Sequence, residues 1–273
     1  MRSYLLSTLL VPLLTFAVTA QQGRYRFIPR DTLRYREITE GHIVLRPPGD
    51  SVPIMTRQDA TFAITGEQGD TATAWYEQLS LSGTSPMGET NTNTDGALHL
   101  PFRLVIAPSG QTTLIAAPAF PAEVAAQTDL SRQFEDCFIT VPRAVLKPNA
   151  TWADTVENSH PAGPRETTQS RHIRRYRVLR DTVAAGGVAA VVIAIDQEMT
   201  LRNSSPLEAQ QVTVVTELRG SEEGTAVFAP KTGRLLLRVR RGRMEGEETL
   251  QGQGGQMVVP MKFEYTSNLA LLP

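Results

Sequence analysis

The sequence predicts a mainly β protein: two similar antiparallel β units forming a curved sheet, sandwich or half-barrel, with one connecting helix. Three observations lead there. Apolar and polar residues alternate at period two along much of the chain, Gly, Pro, Asn and Asp clusters separate these runs, and the chain resembles itself at an offset of 120 residues. The 273 residues hold 27 basic and 28 acidic side chains and one cysteine. Balanced charge gives no footprint for nucleic acid. One Cys can close neither an internal disulfide nor a cysteine-based zinc site.

Taken in order, residues 1–20 combine Arg2, an apolar stretch from Leu5 to Val18 and the small ending Val18-Thr19-Ala20. That pattern is a secretory signal peptide, cleaved near Ala20, and it is too short and broken for a membrane anchor. An exported chain of 273 − 20 = 253 residues follows, periplasmic or extracellular, with no later segment apolar enough to span a bilayer.

Residues 21–119 form the first β unit, in which Thr73, Trp75, Leu79 and Leu81 are expected on one face. Residues 120–142 are a helical connector: Val124, Ala125, Leu130, Phe134 and Phe138 recur near helical spacing, and Pro121 suits a first turn. Within it Cys137, between two aromatics and beside two carboxylates, is expected to be buried and inert. Residues 143–243 form the second unit. There Ala189, Val191, Ile193, Ile195, Met199 and Leu201 share a face interrupted by Gln197, and Val212, Val214 and Leu218 repeat the pattern. Leu235, Leu237 and Val239 follow, with Arg234, Arg238 and Arg240 on the opposite face. Residues 244–273 are an appended C-terminal hairpin turning at Gly252, Gly254 and Gly255, with Met261, Phe263 and Tyr265 on one face; all parts pack as one globular body.

At the 120-residue offset, Gln78-Leu79-Ser80-Leu81 aligns with Glu198-Met199-Thr200-Leu201, Ser85-Pro86 with Ser205-Pro206, and Gly66 with Gly186. With small shifts, Ile106-Ala107-Pro108 matches Phe228-Ala229-Pro230. Ordered matches at one offset indicate an internal duplication. A unit of three or four strands has too little area to bury its own face, so two copies must cover each other or join edge to edge, which creates a cleft between them.

Chemistry is sparse. His42, His99, His160 and His172 are too far apart for an i, i+4 metal pair, and neither a Gly-x-Ser-x-Gly elbow nor a Walker loop is present. Gly83-Thr84-Ser85-Pro86 and Gly252-Gln253-Gly254-Gly255 read as turns. Asn91-Thr92-Asn93-Thr94-Asp95-Gly96 lacks the closing glutamate of an EF-hand and reads as a polar loop. No catalytic, metal or cofactor residue is assigned. Arg234, Arg238 and Arg240 could form an anionic-surface contact for lipid headgroups; the plainer alternative is a solvated outer face balanced by Glu245, Glu247 and Glu248.

The stretches Arg-Asp-Thr-Leu-Arg-Tyr (30–35), Pro-Asn-Ala-Thr-Trp (148–152) and Phe-Ala-Pro-Lys-Thr-Gly-Arg-Leu (228–235) resemble exported bacterial β-rich proteins of unknown function. The layout is more distantly similar to the half-barrel of Lol-type lipoprotein carriers, and that resemblance implies an apolar concave face holding acyl chains. It transfers no site residue. The expectation is a non-catalytic envelope protein that binds a lipid, another apolar ligand or an envelope protein between two similar halves. An assembly protein without a small-molecule site and an unrecognised hydrolase are the alternatives.

Overall fold

A computed structural model describes residues 22–125, 130–161, 167–207, 212–252 and 255–273; the signal peptide expected at 1–20 lies outside the described residues. The first half contains β1 (Thr32–Leu45), β2 (Val52–Gly66), β3 (Thr71–Ser85), β4 (Gly88–Thr92), β5 (Phe102–Ile106) and β6 (Thr112–Ala116). The connector holds α1 (Ala122–Ala125) and a 3-10 segment, Leu130–Asp136. The second half contains β7 (Thr151–Pro161), β8 (Thr167–Ala184), β9 (Val188–Leu207), β10 (Val212–Ala229), β11 (Arg234–Gly252) and β12 (Gly255–Leu271). The strands join one open antiparallel sheet in the order β6-β5-β3-β2-β1-β12-β11-β10-β9-β8-β7, with β4 beside β3. β12 is therefore a central strand, paired with β1 on one side and β11 on the other.

Glycine on the inner face permits close approach between neighbouring strands. The Tyr265 ring occupies the space a Cβ on Gly242 would need, and a Cβ on Gly246 would overlap the Glu217 carbonyl oxygen. Strands can bend and approach this closely where no side chain stands between them.

Bulges decide which residues face inward. Glu77 in β3, Ile115 in β6, Leu179 in β8 and Leu236 in β11 are each an extra residue opposite a regular partner. One extra residue reverses the in–out alternation beyond it. Hence Tyr76 and Leu79 are both buried, and Thr73 and Trp75 do not share the face of Leu79 and Leu81. Similarly, Leu235 is buried while Leu237 and Val239 are exposed and Arg238 is 2% exposed. The expected solvent face for Arg238 and Arg240 is thus corrected, because strict alternation fails at Leu236.

One end of the inner face is capped. The segment at 22–29 crosses it: the Tyr25 N–H donates to the Pro108 carbonyl at 2.8 Å, and the Arg26 N–H donates to the Gly233 carbonyl at 3.1 Å. The connector inserts beneath it. Phe134 meets Phe102, Phe62 and Tyr76 at ring distances of 4.7, 5.2 and 5.5 Å, while Phe138 meets Tyr25 at 5.2 Å and Tyr35 at 5.8 Å. The expected single helix over 122–138 is instead a four-residue α turn and a 3-10 segment, residues 126–129 lying outside the described set. The Asp136 and Cys137 carbonyls accept hydrogen bonds from Arg238, so the sheet supplies partners that a regular helix would otherwise provide. Cys137 is free and buried, and burial pushes its thiol far above the ordinary range. It is correspondingly inert.

Candidate functional site

Directly opposed residues of antiparallel strands share a face, so the register resolves the inner face into transverse rows. Beyond the capped core comes a polar belt. Glu37 and Arg238 flank Leu269; Gln58, Thr39, Ser267 and Arg240 form the next row; Tyr265, Gly242, Glu222, Gln197 and Arg174 form the third. Two apolar rows follow. The first runs Ile54, Ile43, Phe263, Met244, Gly220, Met199, and the second Leu45, Met261, Gly246, Leu218, Leu201. Beyond them lies a mixed row in which Glu248, Thr216 and Asn203 follow the buried Val259.

The belt sets three guanidinium groups against three carboxylates. Arg238 Nη2 donates to Glu37 Oε1 at 2.9 Å, and its Nη1 donates to the Cys137 carbonyl at 2.6 Å. The Ser267 hydroxyl donates to Glu37 Oε1 at 2.7 Å, and Gln133 Nε2 donates to Glu37 Oε2 at 3.1 Å. Asp136, from the connector, bridges the sheet: Arg174 Nη2 bonds one carboxylate oxygen and Arg240 Nη1 donates to the other at 2.6 Å. Arg240 also pairs with Glu222 at 3.6 Å, and the Tyr265 hydroxyl donates to Glu222 Oε2 at 2.5 Å. Arg174 Nε donates to Gln197 Oε1 at 2.9 Å, and Gln197 Nε2 lies 2.9 Å from His172 Nδ1. The residue that interrupted the apolar face of β9 is therefore the relay between a buried arginine and a histidine.

Burial opposes ionisation throughout the belt, but charge overrides it for the acids. Burial alone would raise the Asp136 carboxyl; Arg174, then Arg240 and Arg238, hold it well below the carboxylate range. Glu37 is likewise lowered, with burial outweighed by Arg238, Arg240 and the Ser267 and Gln133 hydrogen bonds. For His172, burial lowers the imidazole despite the attraction of Asp136, so it stays neutral to lower pH.

The belt has little free space. The cavity lined by Asp136, Arg174, Glu222, Arg238 and Arg240 measures about 10 Å³, room for about one water. With its positive and negative groups balanced, it works chemically as a clamp that docks the connector onto the sheet. Glu222 Oε1, Arg238 Nε and Arg240 Nε are buried without a hydrogen-bond partner. No group of three or more His, Cys, Asp or Glu that could hold a metal occurs among the described residues.

Of the sequence-selected arginines, Arg238 and Arg240 enter the belt, while Arg234 lies apart and pairs with Asp31 at 2.5 Å. An anion arriving from solvent does not meet Arg238. His172 adjoins the belt; the His160 side chain lies outside the described residues. The polar loop around Asn93 folds on itself, with the Asp95 N–H donating to Asn93 Oδ1 at 3.1 Å and the Thr94 hydroxyl to the Leu79 carbonyl. Glu37, Asp136, Arg174 and Glu222 escaped sequence reasoning because each looks, in its own strand or turn, like an ordinary solvent-facing charge.

The apolar rows lack a covering segment among the described residues. Met199, Leu218 and Met244 are buried there, each 6% exposed, with Leu201, Met261, Phe263 and Tyr265 half-buried against them. On the other face, a groove of about 590 Å³ over β8–β10 is lined by charged side chains including Arg171, Arg202, Glu217 and Arg219. Its Arg202–Glu217 and Arg171–Glu157 pairs span 3.2 and 3.0 Å. Exposed pairs of this kind contribute little to stability.

No family model matches the chain, and no curated protein does. Among solved structures, a lipovitellin described by its lipid–protein interactions aligns at 13% identity and a TM-score of 0.49 over 91% of this chain. The chain spans 26% of that lipovitellin's length. Two Pseudomonas aeruginosa proteins, OccK5 (OpdH) and OccK2 (OpdF), align at 9% and 8% identity with TM-scores of 0.23 and 0.21, over 91% and 90% of this chain and all of theirs. Among the described residues, no helix is long and apolar enough to cross a membrane.

Proposed function

We propose that this is a non-catalytic, exported binding protein that holds an apolar ligand, such as an acyl chain, against the uncapped part of its inner face. The observation carrying the reading is the pair of apolar rows from Ile54 to Met199 and from Leu45 to Leu201, bounded by the charged belt on one side and on the other by a mixed row of Val259, Glu248, Thr216 and Asn203. Burying such a band under a slender apolar ligand gains about 25 cal/mol per Å² removed from water. The Met-rich composition suits ligands of variable shape. The non-catalytic part rests on the belt: its carboxylates are tied to arginine or tyrosine, and its space is too small for a substrate. Export rests on the charge, length and ending of residues 1–20.

Native mass spectrometry of protein purified from its own host tests the reading. A copurifying lipid is expected, together with its loss in Leu201→Glu, a substitution at a half-buried position. Repeatedly empty wild-type protein would overturn it and favour the second reading, an assembly protein, which draws support from the filled belt and capped core. The strand order also supports the duplication: β6-β5-β3-β2-β1 and β11-β10-β9-β8-β7 run in the same last-to-first sense.

A further inference from the structure

The two runs of strands meet at β12. β1 and β7 open the runs, β6 and β11 close them, and β12 occupies the place between β1 and β11. The two outer edges of the sheet, β6 and β7, are therefore the counterparts of the two edges that β12 joins. In chain order the stretch after β6 that would correspond to β12 is the connector, and it is turned into the interior, where Phe134 and Asp136 are engaged. We propose that the edge of β7, unpaired among the described residues, takes up an extended segment of a partner polypeptide, added antiparallel as β12 is added to β1. The proposal concerns the edge and does not depend on what the inner face binds.

β7 is suited to this and β6 is not. Sheet edges are ordinarily blunted by shortness, bulges, proline or lysine. β6 has five residues and a bulge at Ile115. β7 has eleven residues, pairs with β8 in unbroken register from Thr151↔Arg177 to Pro161↔Thr167, carries no Lys or Arg, and has its proline at the last position. The Val178 N–H donates to the Ala150 carbonyl at 2.9 Å. Alternate pairs of an antiparallel ladder exchange bonds, so Trp152, Asp154 and Val156, in phase with Ala150, bond β8. Thr151, Ala153, Thr155 and Glu157 then turn their N–H and C=O groups to that edge.

The inner-face side chains define the partner's chemistry. Trp152, stacked on Tyr176 at 5.2 Å, and Val156 flank Asp154, whose Oδ1 is buried without a partner. The added strand should present an apolar residue, then a hydrogen-bond donor, then an apolar residue on that face. β12 has this pattern in Tyr265, Ser267 and Leu269. A second copy of β7 paired about Thr155 would set Asp154 against Val156 and leave Oδ1 without a donor.

The test uses the full chain and a synthetic peptide with the sequence of residues 262–272. Hydrogen exchange should show the Ala153 and Thr155 amides protected by the peptide, with Ser267 of the peptide beside Asp154. Thr155→Pro removes one outward N–H without breaking a β7–β8 bond and should weaken peptide binding about tenfold, the loss of about one interfacial hydrogen bond. A peptide N-methylated at backbone positions facing β7 should fail to bind the unaltered protein, which keeps the test independent of how the variant folds. Absence of binding, or protection at β1 and β11 instead of β7, would overturn the proposal. So would a concentration-dependent dimer disrupted by Thr155→Pro in the absence of peptide, which would assign the edge to a second copy.

Discussion

Arg238 is the side chain on which the belt most depends. It is 2% exposed, pairs with a Glu37 that is nearly as buried, and holds two connector carbonyls. Removing one partner of a buried pair strands the other charge, so Arg238→Ala should destabilise the fold by about 3–5 kcal/mol in chemical denaturation. The double variant Glu37→Leu with Arg238→Met should recover most of that loss, because it removes both desolvated charges together. A similar cost for the double variant would mean that the connector bonds dominate. The belt also sets the response to acid. Asp136 and Glu37 have lowered pKa values in the fold, so their stabilisation is fully present above the ordinary carboxylate value of about 4, declines below it, and is lost as pH falls through the lowered folded values. His172 is also lowered. Below about pH 6.5 the unfolded imidazole takes up a proton that the folded one resists, and stability begins to fall there. Thermal melts across pH 3–8 should therefore decline in two stages, and His172→Gln should remove the upper one.

The bulges and inner-face glycines act at the level of the strand. Deleting Leu236 would remove the bulge in β11 while keeping Leu235 opposite Phe228 and Arg238 opposite Ala226, so Leu235, Arg238 and Arg240 should all still face inward. The expected result is a cooperatively unfolding protein whose near-ultraviolet circular dichroism is retained; its loss would show that the bulge itself is required. Gly246→Ala should destabilise strongly, because its Cβ would overlap the Glu217 carbonyl oxygen of the neighbouring strand. Gly186→Asn, at a turn with φ of 73° and open space around it, should change the melting temperature little. Much at this scale was legible beforehand. The inner face of β9 was read correctly from Val191 to Leu201, though not at the exposed Ala189, and that of β12 at Met261, Phe263 and Tyr265, because neither strand carries a bulge there. β3 and β11 were misread at Trp75 and Leu237 because an extra residue leaves no mark in the pattern of hydrophobicity.

For the whole molecule, the layered inner face sets the distribution of stability. The capped end is held by interlocked aromatics, and Phe134→Ala should cost about 3–5 kcal/mol by leaving a cavity among Phe62, Tyr76 and Phe102. The uncapped end has fewer covering contacts and should exchange its amides faster, with the boundary at the belt. Ligand binding on the apolar rows should slow exchange at that end and leave the capped end unchanged. An outcome in which both ends exchange alike would place the boundary elsewhere.

By itself the sequence determined the β class, the antiparallel hairpins, the buried thiol and the aromatic spacing of the connector, since each follows from local periodicity and turn chemistry. Only the tertiary structure decided that β12 lies at the centre of the sheet, that Arg238 and Arg240 turn inward, and that charges from four strands and the connector meet in one belt. Those outcomes depend on pairings across as many as 230 residues, as between Ser267 and Glu37. A bulge or a long-range ion pair is selected by the free energy of the assembled sheet, which no short window of residues contains.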